Sequence, residues 1–195
     1  MVDDNPGLRR SLQSLLEAAR LPVETFASAQ DFLERYDGGR AGCIVLDVRL
    51  RGESGLDLQE ELRRRRMTLP IIVMTGYGDV PTSVRAFKGG AIDFLQKPVP
   101  AKKLLRRIRD ALEIDRQARA TAEQRAAVLE GVARLTPRER QVMDLLALGN
   151  TSKQMASTLK ISVRTVEGHR RVVLRKMGVP SVAHLARAVA RLERS

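Results

Sequence analysis

The chain has 195 residues and a formal net charge of +12, a length that admits one large domain or two small ones. Its single cysteine, Cys43, excludes an internal disulfide, no apolar run reaches the roughly 18 residues of a membrane span, and the acidic start Met1-Val2-Asp3-Asp4 is unlike a secretory signal, so a cytoplasmic protein with no membrane partner is expected. The charge is uneven: residues 1–115 hold 19 Lys+Arg against 17 Asp+Glu, whereas residues 116–195 hold 16 against 6, and a basic excess confined to one part of a chain is the footprint of a nucleic-acid-binding domain.

In chain order, Leu8, Leu12, Leu15 and Leu16 share a helical face, and residues 23–26 and 43–46 read as strands, with Cys43 a small buried thiol beside Ile44-Val45-Leu46. Leu56, Leu58 and Leu62 mark a second helix, residues 71–74 and 92–95 two more strands, and Leu104, Leu105, Ile108 and Leu112 a further helix. Strands alternating with helices imply an α/β doubly wound domain with a parallel sheet covered on both faces. The run Arg63-Arg64-Arg65-Arg66 ends a predicted helix, where cations favour the dipole, and reads as a solvated helix end. Residues 115–134 are rich in Ala, Arg, Glu and Gln and read as a helical linker between domains at 1–114 and 135–195.

The second domain reads as all-α, with four helices. Thr136-Pro137-Arg138-Glu139 is a capping box with Pro in the first turn, ahead of Val142, Leu145 and Leu146. Gly149 closes that helix, Thr151 and Gln154 open a short one with Met155, Ala156 and Leu159, and Ser162 caps a third that reaches Met177. Gly178 and Pro180 stop it, and Ser181 opens a fourth bearing Val182, Leu185, Val189 and Leu192.

Ligands of a doubly wound sheet bind beyond the carboxyl ends of its strands. There stand Asp3 and Asp4 after the remnant of a first strand, Asp47, Thr75, and Lys97-Pro98. Three carboxylates in one small site repel unless a cation neutralises them, and hard oxygen donors suit Mg²⁺. Lysine and threonine opposite can hold phosphoryl oxygens, leaving Asp47 as the candidate nucleophile toward phosphorus. Each residue alone is an ordinary turn or cap residue; the set points to a phosphoacceptor.

Asp3-Asp4, Asp47, Thr75-Gly76 and Lys97-Pro98 resemble the signature of the receiver domain of two-component response regulators. The resemblance implies that Asp3 and Asp4 bind Mg²⁺ with Asp47 and the backbone carbonyl of Arg49. It implies that Asp47 accepts phosphoryl from a sensor histidine kinase, and that Thr75 and Phe94 form a switch pair. Residues 76–81 further resemble regulators of the FixJ type. Two features depart from the family. Several residues usually precede the acid pair, so either the chain starts upstream or its first strand is truncated. Arg51 stands where the family loop carries Pro, which should loosen the turn after Asp47.

Residues 135–192 resemble the LuxR-type helix-turn-helix of the FixJ and NarL groups, at Leu135 to Arg140, Lys153-Gln154-Met155-Ala156, Ile161 to Val166, His169, Lys176 and Met177. Such a helix enters the major groove of double-stranded DNA by its amino-terminal half. Glu167, Gly168 and Arg171 then read bases, while Lys153, Arg164, Thr165, His169, Arg170 and Lys176 meet phosphates. Val166 is expected in the core and Glu139 at a cap. Gly168 replaces the usual apolar residue, at up to about 1 kcal/mol of helix propensity, and allows close approach to a base. His169 and His184 lack cysteine partners for zinc.

The whole reads as a transcription regulator, with no enzyme activity, that dimerises when phosphorylated. Val84, Lys88, Arg106, Arg107 and Asp110 are the expected polar face, and RNA polymerase a further partner. Two rivals stay open. One is a phosphorylation-independent DNA-binding protein; the other is an aspartyl phosphatase or phosphotransferase, against which stands Arg49, no second acid, two residues after Asp47.

Overall fold

The computed structural model describes residues 1–76 and 80–193. It divides into two compact units, Met1–Ala118 and Arg119–Ser195. The first contains α1 (Pro6–Ala18), α2 (Ala29–Arg35), β1 (Ile44–Asp47), β2 (Arg49–Leu50), β3 (Glu53–Ser54), α3 (Gly55–Arg64), β4 (Ile71–Thr75), α4 (Val80–Lys88), β5 (Ala91–Gln96) and the start of α5 (Ala101–Ala133). The strands β1, β4 and β5 form a parallel sheet in the order β1-β4-β5. Helices start where side chains satisfy free amides: Asn5 accepts from Gly7 and Leu8, Ser28 from Asp31, and Ser54 from Leu56.

The expected strand at residues 23–26 does not form. Phe26 makes only an isolated parallel bridge to Val2, and Val2 makes another to Leu46. Between residue 26 and β1 lies the segment Met1-Val2-Asp3, of which Val2 bridges both sides. The ladder is therefore a few bonds, from Val2 N to Val45 O, Asp47 N to Val2 O and Phe26 N to Met1 O, each 2.9 Å, and from Asp3 N to Phe26 O, 3.2 Å.

One core lies on each side of the sheet. Val2, Leu46 and Val73 pack with Phe32 of α2, Leu58 and Leu62 of α3, and Ala86 of α4. Met1, Val45, Ile72 and Leu95 pack with Leu16 of α1 and Leu104 and Ile108 of α5. Fully burying such an aliphatic side chain is worth about 1.5–3 kcal/mol, which makes these two layers the main support of the sheet. Buried Gln59 ties α3 to α4 by donating to Ala86 O at 2.9 Å. The Arg63–Arg66 run does end α3, with Arg63 and Arg64 in its last turn.

The second unit contains the end of α5, then α6 (Pro137–Ala147), α7 (Ser152–Leu159), α8 (Val163–Lys176) and α9 (Val182–Glu193). Both expected capping boxes form, at Thr136 with Glu139 and at Thr151 with Gln154. Ser162 caps α8 by accepting from Thr165 at 3.0 Å. Its core holds Val142, Leu146, Met155, Val166, Val173 and Leu185, joined by Val128 and Val132 of α5. Among the described residues no helix is long and apolar enough to cross a membrane.

Candidate functional site

Parallel pairing brings the carboxyl ends of β1, β4 and β5 to one edge. Asp47 closes β1 and Thr75 closes β4, while the Lys97 amide just past β5 donates to Thr75 O at 2.7 Å. At that edge Lys97 Nζ lies 2.7 Å from Asp3 Oδ2 and 2.8 Å from Asp47 Oδ2. Asp3, Asp47 and Thr75 are buried and Asp4 is half-buried. One oxygen from each of Asp3, Asp4 and Asp47 falls within 4.8 Å of the others, a converging set of hard donors. Asn5 N–H donates to Asp3 Oδ1 at 2.9 Å, and Arg9 Nη1 donates to Asp3 O at 2.6 Å, which fixes the acid pair's backbone. The Lys97–Pro98 peptide is cis.

Burial pushes the Asp47 carboxyl above its usual range, more than the Lys97 hydrogen bond and charge pull it down, with Asp3 adding to the rise. For Lys97 burial opposes the charge, yet the bonds and charges of Asp3 and Asp47 outweigh it and its pKa rises. Burial thus disfavours the charged form of Asp47, while the two carboxylates hold Lys97 protonated.

The loop after Asp47 is a short hairpin. Arg49 and Leu50 pair antiparallel with Ser54 and Glu53 around a tight turn, in which Gly52 takes φ +80°. Arg49 N–H donates to Asp47 Oδ1 at 3.4 Å, and Arg51 at the turn reaches Asp4, Nε to Oδ2 3.7 Å. Gly55, which the sequence reading overlooked, is the tightest point. A Cβ there would lie 1.9 Å from Asp47 O. No local signal distinguishes it from any glycine at a helix start.

Phe94 sits on β5 opposite Val73, partly buried against the core on the α2–α4 side. Residues 77–79 of the FixJ-like segment lie outside the described residues. The surface around α4 and β5 is more apolar than the polar face expected: Val80, Val84, Phe87 and Ile92 are 75%, 44%, 52% and 37% exposed. Lys88, Arg106 and Asp110 are exposed beside it, and Arg107 pairs with Asp93 at 2.7 Å and Asp110 at 3.6 Å.

In the second unit Val166 and Val173 turn α8 onto the core, leaving Arg164, Thr165 and Arg171 exposed and Glu167, Gly168, His169 and Arg170 half-buried. Lys153 is exposed on α7, and a Cβ at Gly168 would meet nothing within 4 Å. Two expected DNA contacts already have internal partners. Glu167 Oε1 accepts from Ser152 Oγ and lies 3.5 Å from Arg170 Nη1. Lys176 Nζ bonds Glu139 Oε2 at 2.7 Å and Arg134 O at 3.0 Å. The Lys176 bond, with the Thr136 amide, lowers the Glu139 pKa to about 2.

Residues 1–109 match the family model of the response regulator receiver domain, and residues 133–189 that of the luxR family of bacterial regulatory proteins. The response regulator protein TodT of Pseudomonas putida is 40% identical over 195 residues, covering 100% of this chain and 86% of its own. The transcriptional regulatory protein FixJ of Bradyrhizobium diazoefficiens is 40% identical over 194 residues, covering 98% of this chain and 93% of its own. The solved structure of the response regulator StyR superposes with a TM-score of 0.87 at 39% identity, over 97% of this chain and 96% of that one. With its acidic sheet edge, its capped helix-turn-helix and these relatives, the chain belongs to the response regulator family and is a transcription regulator with a receiver domain followed by a LuxR-type DNA-binding domain.

Proposed function

We propose that Asp47 is the phosphoacceptor, in a receiver of residues 1–114 joined through a helical linker, residues 115–134, to a DNA-binding domain of residues 135–195. The observation that carries this reading is Lys97 bonded at once to Asp3 and Asp47 beside Asp4. An Asp47 carboxylate oxygen forms the new bond to phosphorus as the bond to the leaving nitrogen of a phosphorylated kinase histidine breaks, the nitrogen keeping the electron pair. Lys97 holds a phosphoryl oxygen by charge, and the Thr75 hydroxyl donates to another, with Phe94 following it inward. Asp3, Asp4, Asp47 and the Arg49 carbonyl would hold Mg²⁺, which when bound supplies positive charge against the three carboxylates and the phosphoryl oxygens.

Phosphorylated chains pair through the surface of Val80, Val84, Phe87 and Ile92, whose exposed apolar area supports an interface. Two α8 helices then meet half-sites of double-stranded DNA about one helical turn apart. Arg171 and Gly168 face bases; Lys153, Arg164, Thr165 and His169 face phosphates; Glu167 orients Arg170. The protein acts in the cytoplasm, toward RNA polymerase, without an enzymatic substrate of its own.

With Mg²⁺ and acetyl phosphate, intact mass should show one acid-labile phosphoryl group on the wild type and none on Asp47→Asn. Phosphorylation should tighten binding to a paired DNA site roughly 5- to 150-fold and shift sedimentation toward a dimer. Equal labelling of the variant refutes the assignment.

A further inference from the structure

We propose that Arg51 is a tethered counter-ion of the acidic site, competing with the divalent cation for Asp4 and thereby setting how much cation phosphoryl uptake requires. This rests on the magnesium reading above. Lys97 engages Asp3 and Asp47, and Asp4 pairs with Arg51. Arg51 sits at the tip of the β2–β3 hairpin beside Gly52, with its side chain 86% exposed and Asp4's 30% exposed. The tether is therefore weak enough to swing aside and costs little to break. Its charge stays close, however.

Three carboxylates face the two cations Lys97 and Arg51. Adding a divalent cation leaves the group with excess positive charge, whereas without Arg51 it would be neutral. A monovalent and a divalent charge about 6 Å apart in water repel enough to shift an equilibrium roughly 10-fold. Ionic screening and the mobility of an exposed side chain reduce that to roughly 3- to 10-fold. The position also has a geometric logic. Proline at this turn would contribute no charge, so the arginine changes the electrostatics of the site while Arg49 and Asp47 keep their backbone bond.

The test is calorimetric titration of MgCl₂ into the full chain, comparing wild type with Arg51→Gln, Arg51→Lys and the distant Arg63→Gln. Arg51→Gln should bind Mg²⁺ roughly 3- to 10-fold more tightly, while Arg51→Lys and Arg63→Gln stay near wild type. The gap should close at about 1 M NaCl, where the screening length is about 3 Å. Unchanged or weaker binding by Arg51→Gln overturns the proposal, and so does an equal gain from Arg63→Gln, which would signal net charge alone. A gain by Arg51→Lys would point to loop geometry and overturn it too. Failure of the wild type to bind Mg²⁺ saturably would instead remove the magnesium reading beneath it.

Discussion

Gly55→Ala should cripple the acidic site and destabilise the receiver. The added methyl would lie 1.9 Å from Asp47 O, 3.0 Å from Asp47 C and 3.1 Å from Leu46 Cγ, where ordinary contact begins at 3.4 Å. Two of those three atoms are backbone of Asp47 at the end of β1, so no side-chain rotation relieves the clash. Either the start of α3 or the end of β1 must move by about 1.5 Å, since close-packed neighbours do not compress. The start of α3 is anchored by Gly55 N–H to Val48 O at 2.8 Å, and its Leu56, Leu58 and Leu62 are buried. Overpacking costs about 1–3 kcal/mol and a strained hydrogen bond about 0.5–1.5. The sum, about 2–4 kcal/mol, should lower Tm by roughly 10–20 °C for a unit of this size. Calorimetry of the full chain reads that shift. Acetyl phosphate labelling at a temperature where the variant is folded then separates stability from chemistry, because a displaced Asp47 loses its alignment with Lys97. A Tm within about 3 °C of wild type together with normal labelling would refute the packing argument.

Gly168→Ala, facing open space in mid-helix, should raise the stability of the second unit by up to about 1 kcal/mol while weakening DNA binding, and unchanged affinity in a gel-shift titration would remove Gly168 from the interface. Glu139→Gln should lower the stability of the same unit at neutral pH. The Glu139 pKa falls from 4.5 to about 2 on folding, so its contribution is present above pH 4.5 and fades as the pH drops toward 2; melting curves of wild type and variant should converge over that window. Burial raises the Cys43 thiol from 9.0 to about 11, so native protein near pH 8 should alkylate roughly 100-fold more slowly than unfolded protein, as mass spectrometry of iodoacetamide-treated samples will show.

The readable parts of this molecule were those written locally. Asp47, Thr75 and Lys97 could be brought together from sequence because parallel strands end at a common edge, and each sits at or just past an apolar run. The caps at Thr136, Thr151 and Ser162 were equally legible, since each depends on residues three apart. The strand expected at residues 23–26 has suitable β-formers but is paired only through an isolated bridge at Val2, which no window of its own sequence reveals. The helix α2 carries a Ser28–Asp31 cap signal that passed unnoticed in a stretch with weak periodicity. The Lys176–Glu139 bond is not legible locally, because its partners lie 37 residues apart. Gly55 and Arg51 gain their meaning only from the fold, one by proximity to Asp47 and the other by reaching Asp4.

The brief bridge through Val2 has a consequence for which sequence changes this chain can tolerate. Met1 belongs to the core on one side of the sheet and Val2 to the core on the other, and the very next residue is Asp3 beneath Lys97. With one bridged residue to hold it, the segment is located by which pocket each side chain fills, because a slip of one residue turns every side chain to the opposite face. Exchanging Val2 for Ile keeps that assignment. Inserting a single residue between Val2 and Asp3 either reverses it or carries the acid pair away from its lysine, so length variation should be tolerated far less here than side-chain variation.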